Sequence, residues 1–375
     1  MLLIVDPALR SYEGHSFNYN RTIMQEAARL GASCSTLCSR HISAEIAASE
    51  PVIPCFTRGL EDDAPDLAES FHQDLVETVH SLDAQEDVIL FLHTTTPTQI
   101  EPTVRFIRDH PNTRLIVLLR YSITVNPRAP DLDLVRRYRD ALACIAAYGV
   151  ERRVRLLTDS DLLRDEYELI VGMPIDVVPI PHVGDIPDGP MKRPRTLTYL
   201  GNARSSKGFQ YLRYLVSQIR PILESGEWAC ELQANVMFQR DTESIVAVMG
   251  LRHEPVTLLE TELNVAEYEA LLARSSLVVI PYQTLWYHSQ TSGVFAEAIG
   301  AGKPVIVSRG TWMARQLGDS GAGVLFAPGD QMDLVRATRE AMANIDPLTI
   351  AAQRMQIGWN RTHNPESFVR AILEH

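Results

Sequence analysis

The sequence lacks the features that mark secreted, membrane-spanning and nucleic-acid-binding proteins. It has 5 cysteines among 375 residues, an odd number, and none of them lies at a zinc-ligand spacing. No apolar run approaches the length of a membrane span, and the apolar stretch before Asp6 is too short for a signal peptide. The formal net charge of −12 argues against a general nucleic-acid binder, which needs a basic face. We therefore expect a reduced, cytoplasmic protein.

Several catalytic signatures are missing as well. No Gly-x-Ser-x-Gly sequence supports a serine hydrolase, and no Gly-x-Gly-x-x-Gly fingerprint supports a dinucleotide oxidoreductase. No His/Cys cluster has the spacing of metal ligands, and Asp131 and Asp133, which match an Asp-x-Asp string, begin a predicted helix. We therefore expect no metal ion and no cofactor. The length and the 45% hydrophobic content predict a globular chain of two domains.

The stretch from Leu277 to Ser308 combines the parts of a phosphate-binding site. Its first residues, Leu277 to Ile280, are typical of a buried strand, and a polar segment follows. The small and hydroxyl-bearing residues Thr291 to Gly293 favour a helix start, and Pro304 to Val307 indicates a second strand. This order places the N-terminus of a helix at the edge where parallel sheets bind phosphate.

Glu297 lies on the same face of this predicted helix as Gly293, one turn further along. A carboxylate repels phosphate, but it accepts hydrogen bonds from paired hydroxyls such as those of a ribose. The alternative is a solvated helix residue. The small and apolar neighbours of Glu297 favour ribose binding.

A second strand, loop and helix begin the second half of the chain. Thr196 to Leu200 is typical of a strand, and the loop GNARSSKG follows it. Gly201 allows a tight turn, and Lys207 stands at a helix start, where its ammonium group and free N–H groups converge. The alternative is an ordinary surface turn. Two independent motifs at matching strand ends favour a phosphate-binding role for Lys207.

These two stretches resemble the donor site of the retaining family 4 glycosyltransferases of the GT-B fold. The back of the family signature is present as Glu297-Ala298 and as the run from Gly302 to Ile306. At the front, Ser289 stands at the position of the first glutamate. The match continues at Lys207-Gly208, whereas Asn202 holds the position of the family's arginine, for which Arg204 would substitute.

The resemblance implies an α/β protein of the GT-B fold, with two Rossmann-like domains whose parallel sheets face each other across a cleft. The acceptor-side domain would cover residues 1–183, with residues 361–375 crossing back to it, and the donor domain residues 196–360. Catalytic roles are implied for His93, Lys207 and Arg204. The implied donor-binding residues are Gly14, His15, Asn202, His288, Ser289, Gln290, Thr291, Ser292, Gly293, Val294 and Glu297.

In the first half of the chain, His93 and Arg120 each follow a predicted buried strand, where parallel sheets bind ligands. A core histidine satisfied by neighbouring threonines is an equal alternative for His93, and a surface residue is the alternative for Arg120. For Gly14 and His15 the alternative is an ordinary turn. The basic segment from Arg136 to Arg155 could contact anionic lipid at the inner membrane face or an anionic acceptor, or form a solvated helix face.

We therefore predict a glycosyltransferase of polysaccharide biosynthesis. It would move a sugar from a nucleotide-diphosphate sugar to a hydroxyl of a glycan or lipid-linked acceptor, and the resemblance implies retention of configuration. Two alternatives stay open. One is a non-hydrolysing nucleotide-sugar epimerase; the other is a catalytically silent nucleotide-sugar-binding subunit, suggested by Ser289 in place of the glutamate.

Overall fold

The computed structural model describes residues 1–12, 15–59, 66–82, 87–124, 132–181, 194–236 and 241–374. The chain divides into two compact units, Met1–Pro181 with Pro365–His375, and His182–Asn364. Each unit contains one sheet of parallel strands together with helices, so the predicted α/β fold class is confirmed. The predicted linker at 183–195 lies almost wholly outside the described residues.

Within its described residues, the first unit has seven parallel strands in the order β3-β2-β1-β4-β5-β6-β7. The strands are β1 Leu2–Asp6, β2 Cys34–Ser39, β3 Val52–Phe56, β4 Val88–Leu92, β5 Thr113–Leu119, β6 Val154–Thr158 and β7 Asp176–Val177. The helices between them are α1 His15–Arg29, α2 Ala44–Ser49, α3 Leu67–Ser81, α4 Pro97–Asp109, α5 Leu132–Ala147 and α6 Asp161–Val171.

The second unit repeats this architecture, with six parallel strands described in the order β10-β9-β8-β11-β12-β13. The strands are β8 Arg195–Tyr199, β9 Trp228–Gln233, β10 Thr257–Leu259, β11 Leu277–Ile280, β12 Val305–Ser308 and β13 Gly323–Phe326. The helices are α7 Leu212–Glu224, α8 Thr242–Leu251, α9 Val265–Arg274, α10 Thr284–Tyr287, α11 Gly293–Gly300, α12 Trp312–Leu317, α13 Gln331–Ala343 and α14 Ile345–Thr362.

The last helix, α15 Pro365–Leu373, belongs to the first unit. Its buried residues Phe368, Val369 and Ile372 join an apolar cluster that contains Leu2 and Ile4 of β1. The alternate β1 residues Leu3 and Val5 lie in a separate cluster. Since successive side chains of a strand point to opposite faces, the first sheet is buried on both faces, which explains its continuous apolar strands.

Both sheets reverse their strand order at one place, between β1 and β4 in the first unit and between β8 and β11 in the second. At such a switch point the loops that leave the carboxyl ends of the two strands run to opposite sides. The crevice that opens between them is where open parallel sheets bind ligands.

Two predicted elements differ from those observed. The apolar residues between Ile175 and Ile180 are typical of a full strand, but only Asp176–Val177 pairs with β6. Proline has no N–H to donate to a ladder, and Pro179 and Pro181 follow directly. The predicted loop after β11 contains the one-turn helix α10.

Candidate functional site

Gly201 lies at the end of β8, where the two motifs of the second unit meet. Its φ of +95° is in the left-handed region that favours glycine. A Cβ atom at this position would lie 2.9 Å from Nζ of Lys207 and 3.6 Å from Cγ2 of Val294, the second residue of α11. The loop after β8 therefore brings the lysine next to the N-terminus of α11, as the sequence predicts.

Gly208 joins the loop after β8 to the end of β11. Its φ is +70°, and a Cβ atom would collide with the carbonyl oxygen of Pro281. Gln283 strengthens the same junction, because its Nε2 donates to the carbonyl of Ser205 at 2.6 Å and its backbone N–H to that of Ser206 at 3.0 Å. These contacts fix the backbone around Lys207.

Lys207 is a buried cation, with 9% of its surface exposed. Its ammonium group lies 5.5 Å from the centre of the Tyr282 ring. Burial and the nearby charge of Arg204 lower the pKa of Lys207 to about 8, and Glu297 opposes that shift. A bound anion would favour the charged form of Lys207, because a nearby negative charge offsets the effects of burial and of Arg204 on its pKa.

Glu297 is half-buried and accepts a hydrogen bond from the hydroxyl of Tyr268 in α9. Burial raises the pKa of Glu297 to about 7, while the Tyr268 hydrogen bond and the charge of Lys207 act in the opposite direction. Glu297 is therefore not a solvated helix residue. Tyr268 was missed in the sequence, because nothing local to α9 indicates which residue of α11 it contacts.

The N-terminus of α11 is accessible, whereas its C-terminus is capped. Ser292 accepts a hydrogen bond from the backbone N–H of Phe295 at 3.2 Å, and Gly293 is exposed with open space where a Cβ atom would lie. At the other end, Gln356 and Asn360 of α14 both donate to the carbonyl of Gly300. The positive end of the helix dipole thus lies at the open end, next to Lys207.

Residues 283–288, which precede α11, form a rim around this end. Thr284 Oγ1 donates to the carbonyl of Arg309 at 3.0 Å, and Nδ1 of the exposed His288 lies 3.2 Å from the carbonyl of Gly310. Leu285 and Trp286 of α10 project from this rim, with 46% and 37% of their surface exposed. The rim is therefore anchored at its ends and exposed between them.

The predicted sugar-binding residues differ in accessibility. Ser289, at the position of the first glutamate, is only 3% exposed, and within the described residues its Oγ has no hydrogen-bond partner. Thr291 and Ser292 are also buried, whereas Gln290 is half-buried and His288 exposed. His288 and Gln290 are thus the accessible polar side chains of this segment.

Two polar residues, Gln233 and Asn235, lie at the carboxyl end of β9. Gln233 Oε1 accepts a hydrogen bond from the backbone N–H of Gly201 at 2.6 Å, and Asn235 Nδ2 donates to Asn202 Oδ1 at 2.8 Å. Arg204 is half-buried in the same loop as Asn202. The position of Gln233 and Asn235 at a strand end is the signal that could have identified them.

In the first unit, the switch point is occupied by the buried residues Asp6 and His93. His93 Nε2 lies 3.5 Å from Asp6 Oδ2, its Nδ1 lies 2.9 Å from the hydroxyl of Thr94, and Asn20 donates to Asp6 at 2.8 Å. Burial acts to raise the pKa of Asp6, but the neighbouring His93 and the hydrogen bonds from Asn20 and the backbone N–H of Ala8 outweigh it and lower the pKa. The threonine contact of the core alternative is present, and the catalytic role of His93 stays a prediction.

Arg120 lies beside this pair. Its Nε donates to Asp159 Oδ2 at 3.3 Å, and its guanidinium lies 4.9 Å above the ring of Tyr19, which in turn lies 4.9 Å from the His93 ring. Arg120 is therefore not the plain surface residue of the alternative interpretation. Asp159 and Asp161 form an Asp-x-Asp pair after β6, but Asp159 pairs with Arg120 and Asp161 is exposed.

The remaining predictions concern Gly14, His15 and the basic segment, whose residues either make contacts within the first unit or lie outside the described residues. Gly14 lies outside the described residues, and His15 begins α1. In the basic segment, Arg153 donates to the carbonyls of Ile107 and His110, and Arg155 pairs with Asp176. These arginines hold the first unit together, and the membrane contact stays a prediction.

Two features are absent from the described residues. No helix among these residues is long and apolar enough to cross a bilayer. No group of three or more His, Cys, Asp or Glu side chains within them has an arrangement that could hold a metal ion.

Comparison with known proteins identifies the second unit by sequence and the whole chain by fold. Residues 194–344 match the family described as glycosyl transferases group 1. No curated protein matches the chain significantly. Solved structures with the same fold include HepE from Anabaena in complex with UDP and glucose, which is 14% identical with a TM-score of 0.71 over 100% of this chain and 98% of that one.

Two further structures extend the comparison. WaaG, a glycosyltransferase involved in lipopolysaccharide biosynthesis, is 15% identical with a TM-score of 0.68 over 100% of both chains. A glycosyltransferase from Rickettsia africae is 10% identical with a TM-score of 0.72 over 100% of this chain and 96% of that one. At these identities the structures show the fold, and the matched residues 194–344 contain Lys207 and Glu297. The predicted resemblance is confirmed: residues 194–344 are a glycosyl transferases group 1 domain, and the whole chain has the GT-B fold of the solved glycosyltransferases.

Proposed function

We propose that the chain transfers a sugar from a nucleoside-diphosphate sugar to a hydroxyl of a glycan or lipid-linked acceptor. The observation that carries this proposal is the meeting of Lys207 and the N-terminus of α11 at Gly201. Two motifs far apart in the sequence supply a buried ammonium group and a helix dipole at one point of the switch crevice. Both features stabilise the charge that develops on a leaving diphosphate.

The reaction breaks the bond between the anomeric carbon and the diphosphate oxygen. Lys207, Arg204 and the first turn of α11 would supply the positive charge that a metal ion supplies in other phosphate sites, so the transfer would be metal-independent. The acceptor hydroxyl then attacks the oxocarbenium-like carbon, and its proton passes to the leaving diphosphate. Attack on the face from which the diphosphate leaves retains the configuration, in line with the family resemblance.

The remaining parts of the donor are assigned by chemistry and exposure. Glu297 would accept hydrogen bonds from the ribose hydroxyls, and His288 and Gln290 would contact the sugar in place of the missing glutamate. The structure of HepE contains UDP and glucose, and this supports a nucleoside-diphosphate sugar as the donor class.

A binding screen tests the proposal directly. UDP, GDP and ADP, each free and as the glucose conjugate, are added to the protein, and the melting temperature is measured. Binding at a concentration of about 100 Kd raises the stability of the folded state by roughly 2.7 kcal/mol, which is readily visible. The absence of a shift with every nucleotide contradicts the proposal.

Turnover assays then separate the remaining alternatives. Sugar transfer that survives EDTA supports metal independence, whereas activity that is lost on chelation and restored by Mg²⁺ or Mn²⁺ contradicts it. An epimerase converts the nucleotide sugar without any acceptor, and a silent subunit binds it without turnover. Either result rejects the transferase in favour of that alternative.

A further inference from the structure

The hydrogen bond between Tyr268 and Glu297 joins two helices of the second unit. Tyr268 lies in the first turn of α9, where a capping box formed by Asn264 and Glu267 fixes the start of the helix. The hydroxyl of Tyr268 donates to Oε2 of Glu297 in α11. The Tyr268 hydroxyl is therefore carried by a fixed backbone segment, and it binds one of the two oxygens of the carboxylate.

Two other groups and burial act on the Glu297 carboxylate. Lys207 attracts it, Glu269 on α9 repels it, and burial disfavours its charge. A half-buried carboxylate that lost the Tyr268 hydroxyl would depend on Lys207 for its compensation. The ammonium group would then be shared between Glu297 and the diphosphate of a donor, which both need the same charge.

We propose that Tyr268 is a positioning residue of the donor site. Its hydroxyl holds Oε2 of Glu297, which directs Oε1 towards the ribose hydroxyls and leaves Lys207 to the diphosphate. This inference rests on the proposed function, because it requires that Glu297 binds ribose. Tyr268 itself touches no part of the donor in this arrangement.

The test is calorimetric titration of Tyr268→Phe, which removes one oxygen atom and keeps the ring. The probes are whichever of UDP, GDP and ADP binds the wild-type protein most tightly, and its 2′,3′-dideoxy analogue. The wild-type protein should prefer the ribonucleotide by about tenfold or more, since charge-assisted hydrogen bonds are lost with the dideoxy analogue. Tyr268→Phe should weaken the ribonucleotide by roughly 3- to 10-fold and the analogue by less than about twofold.

Two matched variants show whether the effect passes through Glu297. In a Glu297→Gln background, Tyr268→Phe should cause little further loss, because the two side chains act as one unit. Tyr214→Phe removes a hydroxyl from a half-buried tyrosine of α7 and should leave the affinity for both probes unchanged. The pH dependence of binding gives an independent test. The Tyr268 hydrogen bond lowers the pKa of Glu297, so in Tyr268→Phe the loss of ribonucleotide affinity on acidification should begin at higher pH.

The outcomes separate this inference from the proposed function. A wild-type ribose preference that Tyr268→Phe leaves intact overturns the role of Tyr268 alone. Equal loss for both probes shows that Tyr268 merely supports the fold, and this also overturns the inference. A wild-type protein that binds both probes equally overturns the ribose assignment of Glu297, and the inference falls with it.

Discussion

The two sheets have the same strand order but opposite contents at the switch point. In the first unit, Asp6 and His93 close the crevice between β1 and β4, and both are about 1% exposed. In the second unit, Gly201 has no side chain at the corresponding crevice between β8 and β11, and Nζ of Lys207 lies 2.9 Å from where its Cβ atom would stand. The same topology thus places a buried Asp–His pair at the switch point of one unit and a buried lysine beside a helix N-terminus at that of the other. The comparison teaches that side-chain chemistry, rather than strand order, decides what a switch point does.

Breaking the network of the first unit should cost mainly stability. Asp6→Ala leaves His93 and Asn20 without their shared carboxylate, and we expect a loss of roughly 3–5 kcal/mol in the free energy of unfolding. Urea titration measures it. The folded-state pKa of Asp6 lies below its ordinary 3.8, so its stabilisation is present above that pH and lost as the pH falls through the lower folded value. An unchanged unfolding midpoint contradicts the assigned network, and nucleotide affinity at neutral pH should persist in the folded variant.

Removing the cation of the second unit should cost mainly activity. Lys207→Ala deletes the proposed charge partner of the leaving diphosphate, and kcat/KM should fall by roughly two to three orders of magnitude. Stability should not fall with it, because a buried ammonium whose pKa is already lowered to about 8 stabilises the empty site little. Steady-state kinetics and thermal melting measure the two effects. Full activity in the folded variant would remove Lys207 from the site.

The junction of the two loops can be tested with a pair of glycines. At Gly208 an alanine Cβ would collide with Pro281, whereas at Gly226, with a similar φ of +77°, nothing lies within 4 Å. Gly226→Ala should therefore cost about 1 kcal/mol of unfolding free energy for its backbone conformation alone. Gly208→Ala should cost at least about 1–2 kcal/mol more. Equal losses in urea titration would show that the close contact is unimportant.

The smallest predicted effect is a pH dependence of nucleotide binding. The proposed site requires a charged Glu297 and a charged Lys207, whose pKa values are shifted to about 7 and about 8. Affinity for a nucleoside diphosphate should weaken as Glu297 is protonated below that range and as Lys207 loses its proton above it. Titration calorimetry across this range measures both limbs. In Glu297→Gln the acidic limb should disappear, and its persistence would assign that limb to another group.

The features that depend on local sequence pattern could be predicted from the sequence. The periodicity and the small residues predict that Lys207 and Gly293 lie at helix starts that follow strands, and the structure brings both to the same edge of the second sheet. The α/β class follows in the same way, from apolar strands alternating with helical spacing.

Contacts between distant segments could not be predicted in this way. His93 was recognised at a strand end, but its pairing with Asp6 depends on β1 and β4 being neighbours in the sheet. Tyr268 reaches Glu297 only because α9 and α11 lie together, and no spacing within either helix encodes that. Ser289 illustrates the converse, since the resemblance fixed its position in the motif but not its burial.

The anchored rim of the second unit has a consequence for protein engineering. Gln283, Thr284 and His288 attach this segment to two neighbouring loops, and Leu285 and Trp286 project between the attachments. Positions 285 and 286 can therefore be varied without touching these attachments, and libraries at the two positions can be screened for altered substrate range. Exposed substitutions away from structural contacts usually change stability by less than about 0.5 kcal/mol, so most members of such a library should remain folded.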